Sequence, residues 1–271
     1  MSQAARPPCN ARIPLHHPHH TMSTSQYIVV IGATSHIAQQ CCRLWAEQGP
    51  CEFLLVGRDA QRTEQVAADL RARGAAVSAQ VQTLDFDDPD AAAALARSAQ
   101  ARGRVDIVLI AHGALPDQAR CQSELRAAQQ ALQINGLSPA LLAEAFAGPM
   151  QQANHGRICI IGSVAGDRGR KSNYVYGAAK GLLERYAQGL QHRLAGTAVR
   201  VTLAKPGPTD TPMTAQLKQG GARLASAQDV AQRIVRAIEA GRPVVYAPAQ
   251  WALIMLVIRS LPRWVFHKLD I

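Results

Sequence analysis

From position 27 onward, short runs of almost unbroken apolar residues alternate with longer stretches that carry one apolar and one polar face. The short runs cover 27–31, 53–56, 76–81, 105–110, 157–161, 198–203 and 244–246. A strand with one wet face alternates apolar and polar side chains, whereas a strand covered on both faces needs no polar position. The runs therefore predict strands of a parallel sheet buried on both sides. The longer stretches at 60–73, 89–102, 122–146 and 174–194 predict amphipathic helices that supply the covering layers. About seven strands with helices between them predict an α/β, three-layer, doubly wound fold with a mostly parallel sheet. Neither a linker nor an internal repeat interrupts the pattern. Residues 26–247 read as one domain and 248–271 as an apolar and basic helical tail.

Composition narrows the setting. A chain of 271 residues, 48% of them apolar, can bury one large core. Residues 1–25 hold four prolines and no apolar signal core, which predicts a disordered extension. Met22 lies just ahead of the first strand and reads as the natural start, with 1–21 as an upstream extension. His16, His17, His19 and His20 in that extension are expected to bind metal only adventitiously. No apolar run reaches the roughly eighteen residues of a membrane-spanning helix. Cys9, Cys41, Cys42, Cys51, Cys121 and Cys159 have neither metal-ligand nor disulfide-framework spacing, which predicts buried free thiols, no metal site and a cytoplasmic setting. The net charge of +10 points to an anionic partner, but the basic residues are scattered and aromatics total only 4%, which argues against nucleic acid.

The candidate chemistry lies in four places. Tyr176 and Lys180 stand four apart on a predicted helix and so share a face, with Ser163 at the end of the preceding strand. An ammonium beside a phenol favours the phenolate, so Tyr176 is expected to titrate below its usual value near 10 and to exchange a proton with a carbonyl or alcohol oxygen. The first strand runs into Gly32-Ala33-Thr34-Ser35-His36-Ile37-Ala38 and a helix, a turn that can present backbone amides and hydroxyls to a pyrophosphate or serve as a simple helix cap. The second strand ends in Val56-Gly57-Arg58-Asp59, where Arg58 suits a ribose 2′-phosphate and points to NADP(H) rather than NAD(H), with Asp59 as the counter-indication. Asp85, after the third strand, is a candidate partner of the adenine amino group or a plain loop acid.

Taken together, these motifs resemble the short-chain dehydrogenase/reductase family from Gln26 to about Tyr246. The matching residues are the Gly32 loop, Asp85, Asn135, Ser163, Tyr176, Lys180 and the segment Pro206-Gly207 through Thr211. The resemblance implies a Rossmann-type fold, a dimer or tetramer, and a role for each residue. Tyr176 is the acid/base, Lys180 binds nicotinamide-ribose hydroxyls, Ser163 holds the substrate oxygen, and Asn135 supports a water relay. Pro206, Gly207, Thr209 and Thr211 hold the nicotinamide amide. Two departures stand out: His36 and Ala38 replace loop glycines, and Ile110-Ala111-His112-Gly113 replaces the usual Asn-Asn-Ala-Gly.

The stretch from Ser163 to Gly177, the altered glycine loop and the tail are similar to one branch of that family, the decaprenylphosphoryl-2-keto-ribose reductases. That branch implies reduction of a keto sugar on a polyprenyl phosphate. Arg168 and Arg170, ahead of Tyr176, are then candidate ligands for a substrate phosphate, and 251–268 a tail for peripheral contact with the membrane or a lipid chain. The competing expectations are a generic carbonyl or 3-oxoacyl reductase whose tail only packs against the core or a second subunit, and a non-catalytic NADP(H)-sensing protein.

Overall fold

A computed structural model describes residues 25–269; the expectations for the extension, its histidines, Cys9 and Met22 lie outside them. In chain order the elements are β1 (Gln26–Ile31), α1 (His36–Gln48), β2 (Cys51–Gly57), α2 (Ala60–Arg71), β3 (Val77–Thr83), α3 (Pro89–Arg102), β4 (Ile107–Ile110), α4 (Gln118–Ser123), α5 (Leu125–Leu132), α6 (Ser138–Gln152), β5 (Arg157–Ile161), α7 (Tyr174–Arg193), β6 (Arg200–Pro206), α8 (Ala215–Gln219), α9 (Ala227–Glu239), β7 (Val244–Ala247), α10 (Gln250–Ser260) and α11 (Arg263–Phe266). The sheet has seven strands in the order β3-β2-β1-β4-β5-β6-β7, every neighbouring pair parallel. The chain reverses its direction of travel across the sheet between β1 and β4, the place where doubly wound folds open a crevice.

The unbroken apolar runs serve two cores. On β1, Val29 and Ile31 pack with α3, α6 and α7, while Ile28 and Val30 pack with α1, α2 and α9. Successive strand residues point to opposite faces, so both sets must be apolar. Each large side chain buried here, such as Phe53 or Leu55, contributes about 1.5–3 kcal/mol. At the sheet edge β3 departs from the expected pattern: Val77 and Ala79 are buried, but Ser78 and Gln80 face solvent.

The single helix predicted over 122–146 is in fact broken twice. Glu124 is extended between α4 and α5, and one π turn, Gln133–Leu137, joins α5 to α6. Pro139 has no N–H for the carbonyl four residues back, and its ring crowds that carbonyl. The chain widens instead, with the Ser138 amide donating to Gln133 O five residues back. Asn135 sits in the middle of that turn.

Candidate active site

The loops at the carboxyl ends of the strands surround one cleft of about 510 Å³. It receives Gly32, Thr34, Ser35, His36 and Ile37 from the β1–α1 turn, Arg58 from β2, His112 from β4, Ser163 from β5, Pro206, Gly207, Thr209 and Thr211 from β6, Asn135 from the π turn, and Arg170, Tyr176 and Lys180 from the stretch leading into and along α7. Residues spread over 180 positions of sequence are thus gathered at one end of the sheet.

Gly32 adopts φ +82°, and a Cβ there would overlap the His112 backbone nitrogen, so the turn needs a residue without a side chain. The Ser35 side chain makes no capping bond to α1, and the first turn of that helix holds no acidic residue. The first-turn amides of α1 therefore keep a positive partial charge that neither a cap nor an acidic side chain offsets, beside the cleft residues Thr34, Ser35, His36 and Ile37. Gly207 is fixed for a different reason: a Cβ would collide with the indole of Trp251, which lines the cleft from α10.

The proton-transfer groups meet where β5 runs toward α7. Ser163 caps a short 3-10 turn, its Oγ accepting from the Ala165 amide at 3.1 Å, which leaves the hydroxyl proton free to donate elsewhere. The Lys180 ammonium is buried, donates to Ile161 O at 3.0 Å, and lies 5.7 Å from the centroid of the Tyr176 ring. Burial brings Lys180 down to about 8. Burial also pushes Tyr176 up to about 12, with a hydrogen bond from Ser163 acting in the lowering direction. The expected depression of the tyrosine is therefore reversed, because desolvating a phenolate outweighs what its neighbours return. Asn135 is buried, accepts from the Ala114 amide and donates to Ala131 O, both at 2.9 Å, and so ties the β4 loop to α5.

His112 is bonded through Nε2 to Ser138 Oγ at 2.9 Å, and that hydroxyl donates to Phe86 O at 2.5 Å. With its one proton committed to Phe86, Ser138 must accept from His112, which fixes the proton of the imidazole on Nε2. Nδ1 is left as a buried acceptor without a partner among the described residues. Burial, then the charges of Lys180 and Arg58, hold the ring neutral by lowering it to about 3.

Two candidates are not where the sequence put them. Asp85 is exposed, is not part of the cleft lining, and accepts from the Asp87 amide at 3.0 Å within its own loop. Arg168 turns away from the cleft: its Nη1 donates to Ile258 O at 2.5 Å and Leu261 O at 2.7 Å, and its guanidinium stacks 3.8 Å from the Phe266 ring centroid. The carbonyls at the end of α10, where Ile258 O also accepts from the Leu261 amide, offered it better partners than solvent did. Conversely, Phe86, Arg62, Asn173, Met213 and Trp251 line the cleft without having been singled out as site residues. Asn173 carried a signal as part of the stretch from Ser163 to Gly177, and Trp251 as an aromatic near the start of the tail.

The short-chain dehydrogenase family model matches residues 26–221. The chain belongs to that family. An uncharacterized oxidoreductase of Streptomyces coelicolor is 33% identical over 89% of this chain and 95% of its own length. Another, from Mycobacterium tuberculosis, is 33% identical over 89% and 96%. Among solved structures, a short-chain dehydrogenase from Sphingobium yanoikuyae in complex with NADPH superposes with a TM-score of 0.76 at 21% identity, over 88% of this chain and 97% of that one. That superposition takes in the seven-stranded Rossmann-type architecture described above. No helix among the described residues is long and apolar enough to cross a membrane, and no group of side chains among them could hold a metal ion.

Proposed function

We propose that the protein is an NADP(H)-preferring ketoreductase that converts a ketone to a secondary alcohol. The observation that carries this reading is the convergence of Ser163, Tyr176 and Lys180 in the same cleft as the Gly32 turn and the start of α1. The residues present fit a nicotinamide dinucleotide. The left-handed glycine and uncapped helix start suit its pyrophosphate, and the unpartnered His112 Nδ1 suits a ribose hydroxyl. Bound there, the dinucleotide supplies the hydride. Tyr176, which holds its proton at neutral pH, delivers it to the carbonyl oxygen. Ser163 donates to the same oxygen, its lone pair already committed to Ala165. Lys180, anchored on Ile161, keeps a positive charge beside the ring on which negative charge develops.

The preference for the 2′-phosphate form rests on Arg58 and Arg62, which both line the cleft. Asp59, the residue that argued for NAD(H), also lines the cleft, but its Oδ1 caps α2 by accepting from the Arg62 amide at 3.0 Å. The NADPH complex of the Sphingobium relative is in keeping with this reading. A lipid-linked keto sugar is the more specific substrate that one further observation favours. Next to the cleft residue Trp251, α10 exposes Leu253, Leu256 and Val257, with Arg259, Arg263 and Lys268 also exposed. A generic ketone substrate, with this apolar face covered by a second subunit, is the competing version. Flotation with anionic liposomes supports the first, and a concentration-dependent dimer or tetramer without flotation supports the second.

The catalytic assignment is tested by NADPH consumption with an activated diketone such as diacetyl. Tyr176→Phe should lower turnover by roughly 10²–10⁴-fold while NADPH still binds. Equal turnover of variant and parent would overturn the assignment.

A further inference from the structure

We infer that Arg170 and Asn173 form a substrate subsite for a small anionic group, carboxylate or phosphate, on the ketone that Tyr176 protonates. This rests on the reductase reading of the cleft and narrows its substrate class.

The charged groups of the loop from Ser163 to Tyr176 have four different settings. Asp167 is buried and ion-paired to Lys205, and its Oδ2 accepts from the Tyr246 hydroxyl at 2.9 Å. Arg168 is held by the two carbonyls of the tail and by Phe266. Lys171 is exposed and lies outside the cleft lining. Arg170 remains. It lines the cleft, and its Nε is buried with no hydrogen-bond partner. A buried donor of this kind destabilises the fold unless something satisfies it.

Asn173 repeats the pattern one turn later. It stands at the N-cap of α7, where an Asn side chain ordinarily accepts from the first amides of its own helix. Here it makes no such bond, and the Val175 amide is taken by Gln118 Oε1 at 3.1 Å. The Asn173 side chain lines the cleft, and its Oδ1 is buried without a partner. Two neighbouring polar atoms, the Arg170 Nε donor and the Asn173 Oδ1 acceptor, are thus buried without a partner on residues that line the cavity holding Tyr176. Together they fit an anion bound by Arg170 with an adjacent substrate hydroxyl or N–H donating to Asn173. Leu115, Met213 and Trp251 line the same cleft and supply apolar surface for the remainder of the molecule.

The test is equilibrium binding to the full chain saturated with NADPH, using benzoate, phenyl phosphate and neutral benzamide as probes. At least one anion should bind tenfold or more tightly than benzamide, and the tighter of the two anions identifies carboxylate or phosphate as the preferred group. Arg170→Gln should abolish the difference, Arg170→Lys should restore part of it, and the NADPH affinity of both variants should match the parent. Equal affinities for anion and amide, or a preference that survives Arg170→Gln, would overturn the subsite. A parallel loss of NADPH affinity in Arg170→Gln would also overturn it, by giving Arg170 to the cofactor. Because the readout is binding, the subsite stands or falls independently of turnover. Anion binding without NADPH-dependent reduction of any ketone would instead remove the reductase reading.

Discussion

The pH behaviour of two residues follows from their burial. Lys180 is brought down to about 8, so its charge disappears as pH rises through that value, well before the Tyr176 proton is lost at about 12. Reduction needs the tyrosine protonated and the lysine charged. The rate of reduction should therefore start to fall near pH 8 rather than near the usual phenol value of about 10. A profile that stays flat well above pH 9 would contradict this. His112 is lowered to about 3, so the folded protein holds it neutral while the unfolded chain protonates it. Its contribution to stability is complete above the ordinary histidine pKa and is lost as pH falls through the range between that value and the lowered one. Linkage puts the loss between pH 7 and pH 5 at about 2 kcal/mol. Urea unfolding at those two pH values should show the parent losing that much more than His112→Gln; identical losses would mean the imidazole is not held neutral. At this scale the sequence was most legible for groups whose chemistry is in their identity and spacing, Ser163, Tyr176 and Lys180. It was least legible for Arg168 and Asp85, whose roles were decided by which carbonyl or amide happened to lie within reach.

The stretch before α7 is held by a buried cluster joining four elements. Lys205 on β6 is ion-paired to Asp167 in that stretch and, at 3.0 Å, to Glu184 on α7, while its Nζ donates to the Tyr246 hydroxyl of β7 at 3.3 Å. Burial alone would lower Lys205, but the hydrogen bonds and charges of Asp167 and Glu184 outweigh it and raise the lysine above its ordinary value. Its stabilisation is therefore complete at neutral pH and is lost only as pH climbs through the raised pKa. Lys205 immediately precedes Pro206-Gly207, so one ion-paired group holds the Ser163 stretch against the segment expected to hold the nicotinamide. Lys205→Met leaves two carboxylates without their cation and should destabilise the fold by about 3–5 kcal/mol, read from chemical denaturation. A loss under 1 kcal/mol would show the cluster to be solvated. None of this is legible in the sequence, because Lys205 sits in a largely apolar strand and its partners lie 21 and 38 residues upstream and 41 downstream. The π turn was hidden for a related reason. Apolar periodicity cannot distinguish a continuous helix from one with a single widened turn.

At the scale of the molecule, the parallel sheet could be read before any contact was known, because strands covered on two faces leave a pattern that single amphipathic elements do not. The edge strand β3 is the exception, and it alternates for want of a second covering layer. What the apolar pattern could not assign is the tail. It appeared as a separate segment, yet Trp251 packs on Gly207 at the cleft and Arg168 fastens the end of α10. The tail and the stretch before α7 are therefore fastened together, and both contribute residues to the same cavity.

The central claim is that this cavity binds a nicotinamide dinucleotide and discriminates its 2′-phosphate through Arg58. The most direct test is a pair of titrations of the full chain, one with NADPH and one with NADH. Binding of NADPH at least about tenfold tighter, about 1.4 kcal/mol, is predicted, with most of that margin lost in Arg58→Ala. Preference for NADH would remove the Arg58 argument and leave Ser163, Tyr176 and Lys180 in their roles. Binding of neither dinucleotide would contradict the account at its foundation.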